Sequence, residues 1–580
     1  MSADTWLEHY DAGVPKTLAP YPRATLMDYL RTSAREWPNR PALLFKSATV
    51  TYGQLERDSD AFAHALVDIG VERGDRVALC LPNCPQFLVA EFGAWKIGAI
   101  ISPFNPTYSE REMEEALTTT GAETVVVLNR FYAQIKRIQG RTAVRRVIAT
   151  GIKDYLPWKL RIAYTMLKEK KDQERIGLRA DDFRFRSLLR RHRRSRARLE
   201  HAGPDDDAVI LMSGGTTGAP KGVVGSHQGM VIAGVQLQAW LRPAMKEWTD
   251  TIMLPLPLFH TYGNTGLQSL ALINHNPIAL IPNPRDLREV LKEIDEVKPA
   301  FICAVPTLLS GIMHHPLART GKVQFGSIKL CFSGAAPLMA ETRKRFEELT
   351  GGVIVEGYSL TEAQMAVVAN PVVGTKKIGS VGMPLPDVKV RIVDSEERSK
   401  PMLEREVGEI VIDAPQLMRR YWQRPEETSE MLRVGANGER LLYTGDLGYL
   451  DEDGYLFIVD RKKDLIKTSG YQVWPREIEE VLSAHPSVAE VGVLGLPDTL
   501  RGEIVKAFVV LRAGHSATPA ELKAFCRDRL ASYKVPAKFE FVPALPKTEI
   551  GKVLRRVLRQ QQLEPNDTDT TGPAETAGAG

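Results

Sequence analysis

Ser213-Gly-Gly-Thr-Thr-Gly-Ala-Pro-Lys221-Gly222 follows directly on the apolar run Ala-Val-Ile-Leu-Met at 208–212. A buried strand that opens into glycines, hydroxyls and one lysine predicts a phosphate clamp. Glycines let backbone N–H groups approach phosphate oxygens, the hydroxyls donate further hydrogen bonds, and the lysine supplies charge. It is not a Walker-type loop, because Lys221 stands between Pro220 and Gly222 where that motif has Gly-Lys-Ser/Thr. In isolation the same residues also fit a flexible glycine-rich loop, so the surrounding sequence decides.

Outward from the loop, short β-branched runs ending in Gly or Pro turns alternate with longer helical patterns: 77–81, 208–212, 251–254, 301–305 and 328–332. That alternation predicts parallel α/β sheets covered by helices. After Gly382 the texture changes, and 388–393 and 409–412 predict strands of a more antiparallel, barrel-like section. From Arg461 a compact α+β unit begins, with helices at 475–483 and 519–530 and strands at 488–494 and 506–511. The end, rich in Thr, Pro, Ala and Gly, predicts a disordered tail. The resulting division is 1–460, 461–562 and 563–580.

At 580 residues the chain is long enough for more than one core, and its charge of +5 gives no global field that would draw a polyanion, so no nucleic-acid partner is expected. The exception is the run R-F-R-S-L-L-R-R-H-R-R-S-R-A-R from Arg184 to Arg198. A solvated loop or helix face is the preferred reading of this run, and contact with anionic lipid head groups or nucleic acid is the second. The five cysteines (80, 84, 303, 331 and 526) are spread through apolar sequence without paired spacing, which predicts reduced thiols and no structural zinc. The first residues lack a cationic start and an apolar core segment, so no secretory signal is expected. The apolar stretches 87–101 and 267–281 are broken by Glu91, Lys96, His275 and Asn276, so no spanning helix is predicted and the expected location is cytoplasmic.

Further segments follow in order: Leu258-Phe-His-Thr-Tyr-Gly263, Ser333-Gly-Ala-Ala-Pro337, Glu356-Gly-Tyr-Ser-Leu-Thr-Glu-Ala363, Thr444-Gly-Asp446, Arg461-Lys-Lys-Asp-Leu-Ile-Lys-Thr-Ser-Gly470 and Pro546-Lys-Thr-Glu-Ile-Gly-Lys552. With the loop at 213–222 they resemble the adenylate-forming superfamily, which includes acyl-CoA synthetases, luciferases and the adenylation domains of peptide synthetases. The resemblance runs from about residue 52 to 556. It implies an α/β protein: a large N-terminal domain of two α/β subdomains plus a distorted β-barrel, and a small mobile α+β C-terminal domain hinged at Lys463.

The resemblance also implies ATP, Mg²⁺ and coenzyme A as reaction partners of a carboxylic acid, in a monomer or homodimer. It assigns Ser213, Gly214, Gly215, Thr216, Thr217, Gly218, Lys221, Gly334, Ala335, Ala336, Glu356, Gly357, Tyr358, Ser359, Thr361, Asp446, Ile458, Arg461 and Gly470 to nucleotide or coenzyme binding. Within that set Tyr358 stacks on adenine, Asp446 accepts from the ribose hydroxyls, Arg461 adds a ribose or phosphate contact, and Gly470 keeps the pantetheine path open. Glu362, with Thr217, is the Mg²⁺ ligand, as suits a hard cation. Lys552 stabilises the attack of the carboxylate on the α-phosphate, His260 gates the acid and thiol, and Lys467 and Gln472 reach the adenylate after the small domain turns.

Two departures from the family pattern stand out: Ser359 where Gly is commoner, and Asp460 where Gly usually precedes the hinge arginine. Most similar are medium- to long-chain fatty acyl-CoA synthetases, on the loop, Val305-Pro-Thr-Leu-Leu309, Glu356-Gly-Tyr358 and Tyr155-Leu-Pro-Trp158. The apolar helix expected at 230–241 and the run 254–259 are candidates to line a tunnel. Aryl acids, a carrier-protein acceptor and a non-catalytic relative are the alternatives.

Overall fold

The computed structural model describes residues 4–195, 199–213, 220–334, 338–398, 400–469, 471–548 and 551–563. The chain divides into two compact units that part between Ile458 and Val459.

Among the described residues, the first unit carries two large mixed sheets. In one, the six strands Pro41–Phe45, Ile278–Leu280, Ile252–Leu254, Phe301–Ala304, Leu330–Ser333 and Val353–Leu360 run parallel, with antiparallel edges. In the other, Asp207–Ser213, Ile100–Pro103, Arg76–Cys80, Thr124–Leu128, Arg146–Thr150 and Phe183–Arg184 are parallel. Strands buried on both faces read as unbroken apolar runs, and Thr124–Leu128, Thr-Val-Val-Val-Leu, is buried at all five positions. The change of texture after Gly382 corresponds to an antiparallel sheet ordered Lys389–Val393, Gly408–Asp413, Arg440–Leu450, Leu432–Val434.

Two charges that break the apolar stretch 87–101 in the sequence are inside the fold. Every residue of helix Pro85–Trp95 is buried, Glu91 included, and Lys96 lies just beyond it with its ammonium 2.8 Å from Glu56 and 2.7 Å from Asp60. All five cysteines are free and buried, and burial pushes their thiols up. No helix among the described residues is long and apolar enough to cross a membrane.

In the second unit, Ile466–Thr468, Tyr471–Val473, Val488–Asp498, Gly502–Leu511 and Lys538–Phe541 form one sheet, and helices Pro475–Ser483 and Pro519–Arg527 bury Ile478, Leu482, Leu522 and Cys526 against it. The second of these helices stops at Arg527, three residues before the expected end. The last helix, Arg555–Leu563, takes in Leu563, the first residue of the expected tail; the remainder of that tail lies outside the described residues.

Candidate active site

Strands Asp207–Ser213 and Lys221–Ser226 form an antiparallel pair in which Ser213 lies opposite Lys221, so the two ends of the glycine-rich loop are held face to face. Gly222 is confined there, since a Cβ would come within 2.8 Å of the Ile210 side chain. Gly214, Gly215, Thr216, Thr217 and Gly218 lie outside the described residues, as do Ala335, Ala336 and Gly470.

In the other sheet, strand Leu330–Ser333 ends with Ser333 in register with Glu356, while the parallel strand Val353–Leu360 runs on past it. Gly334 therefore lies beside Gly357 at the carboxyl end of strand Leu330–Ser333, and ligands bind at such strand ends in open α/β sheets. A Cβ on Gly357 would come within 2.5 Å of the Phe332 ring, which explains glycine at that position. Glu356 is paired with Arg343 at 3.3 Å. Beyond it the strand carries Tyr358, Ser359 and Leu360, and a single tight turn, Thr361–Ala363, presents Glu362.

Here residues distant in sequence converge. The Tyr358 hydroxyl donates to an Asp446 carboxylate oxygen at 2.6 Å, across 88 residues of sequence. Asp446 is placed by the turn before it: Gly445 adopts φ +69°, and the Asp446 N–H donates to the Thr444 hydroxyl at 3.1 Å. Glu362 accepts from the Tyr421 hydroxyl at 2.8 Å, and the Lys221 ammonium lies over the Tyr421 ring, 4.9 Å from its centre. Burial and the neighbouring carboxylate push the Tyr421 phenol far up, so it stays a donor to Glu362.

Tyr421 was not among the residues singled out from sequence. It sits on the two-residue strand Arg420–Tyr421, which pairs with Val223 and Val224, and no local pattern announces its contact with Glu362. No group of three or more His, Cys, Asp or Glu side chains suited to a metal occurs among the described residues. A lone half-buried carboxylate with one oxygen engaged fits Mg²⁺, which keeps waters and phosphate oxygens as its other ligands.

His260 is half-buried; its Nδ1 accepts from the Tyr262 N–H at 3.2 Å, and its carbonyl accepts from the Asn264 N–H at 2.9 Å. The chain then enters a π-helix, Tyr262–Gln268, marked by the Gly266 N–H reaching back five residues to the Thr261 carbonyl at 3.0 Å. π-Helical turns are rare and often lie at functional sites. Gly263 is required by crowding, since a Cβ would come within 2.4 Å of the Pro257 carbonyl oxygen. The expected apolar helix is His227–Leu241, three residues longer at its start than the sequence suggested.

In the second unit, Lys467 and Gln472 are directly opposite each other in the hairpin of Ile466–Thr468 and Tyr471–Val473, so both present to the same, exposed face while Ile466 and Val473 are buried on the other. Lys552 is held in a turn: its N–H donates to the Thr548 hydroxyl at 3.1 Å and its carbonyl accepts the Thr548 N–H at 2.8 Å. Arg461 ends strand Leu456–Arg461, which Ile458 shares, and Lys463 lies in the short turn Lys462–Asp464.

Asp460, one of the two departures from the family pattern, has a structural role. Its carboxylate accepts the backbone N–H groups of Arg461 at 2.8 Å and Arg476 at 2.9 Å, so it caps helix Pro475–Ser483 from a distance. Beside it, Arg555 pairs with both Glu479 oxygens at 2.8 Å and with Asp464 at 3.1 Å.

The chain matches the family model of AMP-binding enzymes over residues 30–422, and the model of the AMP-binding enzyme C-terminal domain over residues 477–552. A long-chain-fatty-acid–CoA ligase of Bacillus subtilis is 38% identical over 564 residues, 97% of this chain and 99% of that protein. A 4-coumarate–CoA ligase-like protein of Oryza sativa is 31% identical over 549 residues, 93% of each chain. The ATP-bound crystal structure of MatB from Rhodopseudomonas palustris superposes with a TM-score of 0.80 at 27% identity, covering 93% of this chain and 99% of that one.

Proposed function

This chain belongs to the AMP-binding enzyme family, and from that premise we propose which residues carry its chemistry and on what acid. The protein is an AMP-forming acid–thiol ligase: ATP and a carboxylic acid give an acyl adenylate and pyrophosphate, and coenzyme A then takes the acyl group with release of AMP. The observation that carries the assignment of residues is the 2.6 Å hydrogen bond between Tyr358 and Asp446. It sets an aromatic face beside a buried carboxylate, the pair that an adenosine requires for stacking and for its ribose hydroxyls.

In this reading the nucleotide phosphates meet the loop from Ser213 to Lys221, including Thr216 and Thr217. Glu362, with Thr217, would hold Mg²⁺, which would draw negative charge from the phosphates. Tyr421 keeps one Glu362 oxygen occupied, which would leave the other to the metal. Lys552 neutralises the charge that builds as the carboxylate approaches the α-phosphorus, a contribution of several kcal/mol. His260 stands at the entrance of the acid. A turn of the small domain about Lys463 then withdraws Lys552 and brings the Lys467 and Gln472 hairpin to the adenylate for thiol attack, with Gly470 keeping the pantetheine path open.

The acid is a medium- or long-chain fatty acid, a reading supported by the name of the Bacillus subtilis relative and by helix His227–Leu241, apolar along most of its length. An aryl acid of the coumarate kind is the second reading, favoured by the rice relative, and a carrier protein is the alternative acceptor. Pyrophosphate release measured across saturated acids of rising chain length, benzoate and coumarate, with and without coenzyme A, decides among them. Turnover peaking on long saturated acids and dependent on coenzyme A for product release is expected. Release peaking on coumarate would overturn the acid.

For the protein's surroundings we place it in the cytoplasm, as a monomer or homodimer, with peripheral contact to anionic lipid. Helix Trp158–Leu167 buries none of its ten residues, and Trp158, Ile162, Met166 and Leu167 are exposed among Lys159, Arg161 and Lys168. Apolar side chains interleaved with cations suit an interface of head groups and acyl chains. Salt-sensitive flotation with phosphatidylglycerol vesicles is expected, and its absence would remove the lipid partner.

A further inference from the structure

Glu91 is fully buried in helix Pro85–Trp95, and its carboxyl is met by two side chains of the π-helix. Asn264 Nδ2 donates to Oε1 at 2.7 Å and Gln268 Nε2 to Oε2 at 2.6 Å. Both amides are themselves fully buried, and their own oxygens, Oδ1 of Asn264 and Oε1 of Gln268, have no hydrogen-bond partner among the described residues. A carboxyl is costly to bury, and neither the nucleotide cluster nor the mobile unit makes use of this one.

The connection to the site runs through one residue. Asn264 grips Glu91 with its side chain and the His260 carbonyl with its backbone N–H, at 2.9 Å. The same segment is tied at its start by the Tyr262 hydroxyl, which donates at 2.7 Å to the carbonyl of Phe332, two residues before Gly334. Between these ties, Gly263 passes so close to the Pro257 carbonyl that no side chain fits, and a Cβ on Gly266 would press on the Met365 side chain, so the turn has little room to shift.

We propose that Glu91 is a positioning residue for the acid half-site: through Asn264 and Gln268 it fixes the π-helix that sets the position of His260. The inference rests on the reading above that places His260 at the entrance of the acid. A neutral isostere keeps the network, because a glutamine can accept from one amide and donate to the oxygen of the other once that amide turns over. Leucine at the same position leaves two buried amides unpartnered.

The test is steady-state pyrophosphate release by the full-length enzyme, with acid and ATP varied separately, for wild type, Glu91→Leu, Glu91→Gln and Gln268→Met. The last variant removes one donor at nearly constant volume, so it reports even where leucine prevents folding. Expected are a rise in acid KM of ~10-fold or more for Glu91→Leu, a smaller rise for Gln268→Met, ATP KM within about twofold for both, and Glu91→Gln within about threefold of wild type, as loss of one or two buried hydrogen bonds implies. Equal changes in both KM values, a loss of kcat alone, or a glutamine variant as impaired as leucine would overturn the positioning role. A wild-type enzyme that releases pyrophosphate with no acid at all would instead sink the functional reading, and this inference with it.

Discussion

In the proposed reading, the nucleotide side and the acid side of this protein are built by opposite means. On the nucleotide side, charged and hydroxyl groups stand on strand ends and tight turns: Lys221 at the mouth of a hairpin, Glu362 on a single turn, Asp446 after a glycine at positive φ. On the acid side, the π-helix after His260 is held from behind by a buried carboxyl and two amides. Local geometry places the first set and packing places the second. A substitution on the nucleotide side should therefore act through the group removed, and one on the acid side through the segment displaced.

Four substitutions probe that contrast. The largest effect is expected for Lys552→Ala: acid-dependent pyrophosphate release should fall by about a hundredfold or more, with ATP affinity by calorimetry preserved, because the lost charge acts on the transition state. Adenylate formation at the parent rate would refute its role. Next, Asp446→Ala should raise the KM for ATP by ~10-fold or more and leave acid KM alone, since a charged acceptor for two ribose hydroxyls is lost. Tyr421→Phe removes a single hydroxyl from Glu362 and should shift the Mg²⁺ dependence of the rate to about fivefold higher concentration. An unchanged Mg²⁺ curve would separate Tyr421 from the metal.

The smallest effect is on stability. Burial raises the Glu91 carboxyl from its ordinary value of 4.5 to about 8. Between those two values the folded protein holds a proton that the unfolded chain has released, so this group's contribution to stability is complete below the lower value and lost as pH rises through the upper one. Glu91→Gln removes the linkage. Its melting temperature should exceed wild type by a margin that grows by a few degrees from pH 5 to pH 8, followed by scanning fluorimetry. A constant margin would show that Glu91 does not hold its proton in the fold.

The same contrast explains what the sequence could disclose. The loop at Ser213–Lys221, the Tyr358 and Glu362 segment, Asp446, and Lys467 with Gln472 stand out in the sequence as candidates because each proposed role is written within a few contiguous residues. The parallel strands are legible for a related reason: burial on both faces leaves an unbroken apolar run such as Thr124–Leu128. Tyr421 and Glu91 are not legible in this way. Tyr421 meets Glu362 across 59 residues, and Glu91 meets Asn264 across 173, on elements whose own patterns say nothing of the pairing. In Glu91 the sequence even points the wrong way, since a charge in an apolar stretch reads as an interruption while the fold encloses it. Asp460 is of the same kind: its value lies in an N–H group of Arg476 that no nearby residue reveals.

Every proposed step requires adenosine to be held between Tyr358 and Asp446. A crystal structure of the protein with ATP bound tests this directly. Ribose hydroxyls within hydrogen-bond distance of the Asp446 carboxylate, adenine against the Tyr358 ring and phosphates at the loop after Ser213 are the predicted result. A nucleotide lodged elsewhere, with the Tyr358 to Asp446 hydrogen bond facing empty solvent, would contradict it.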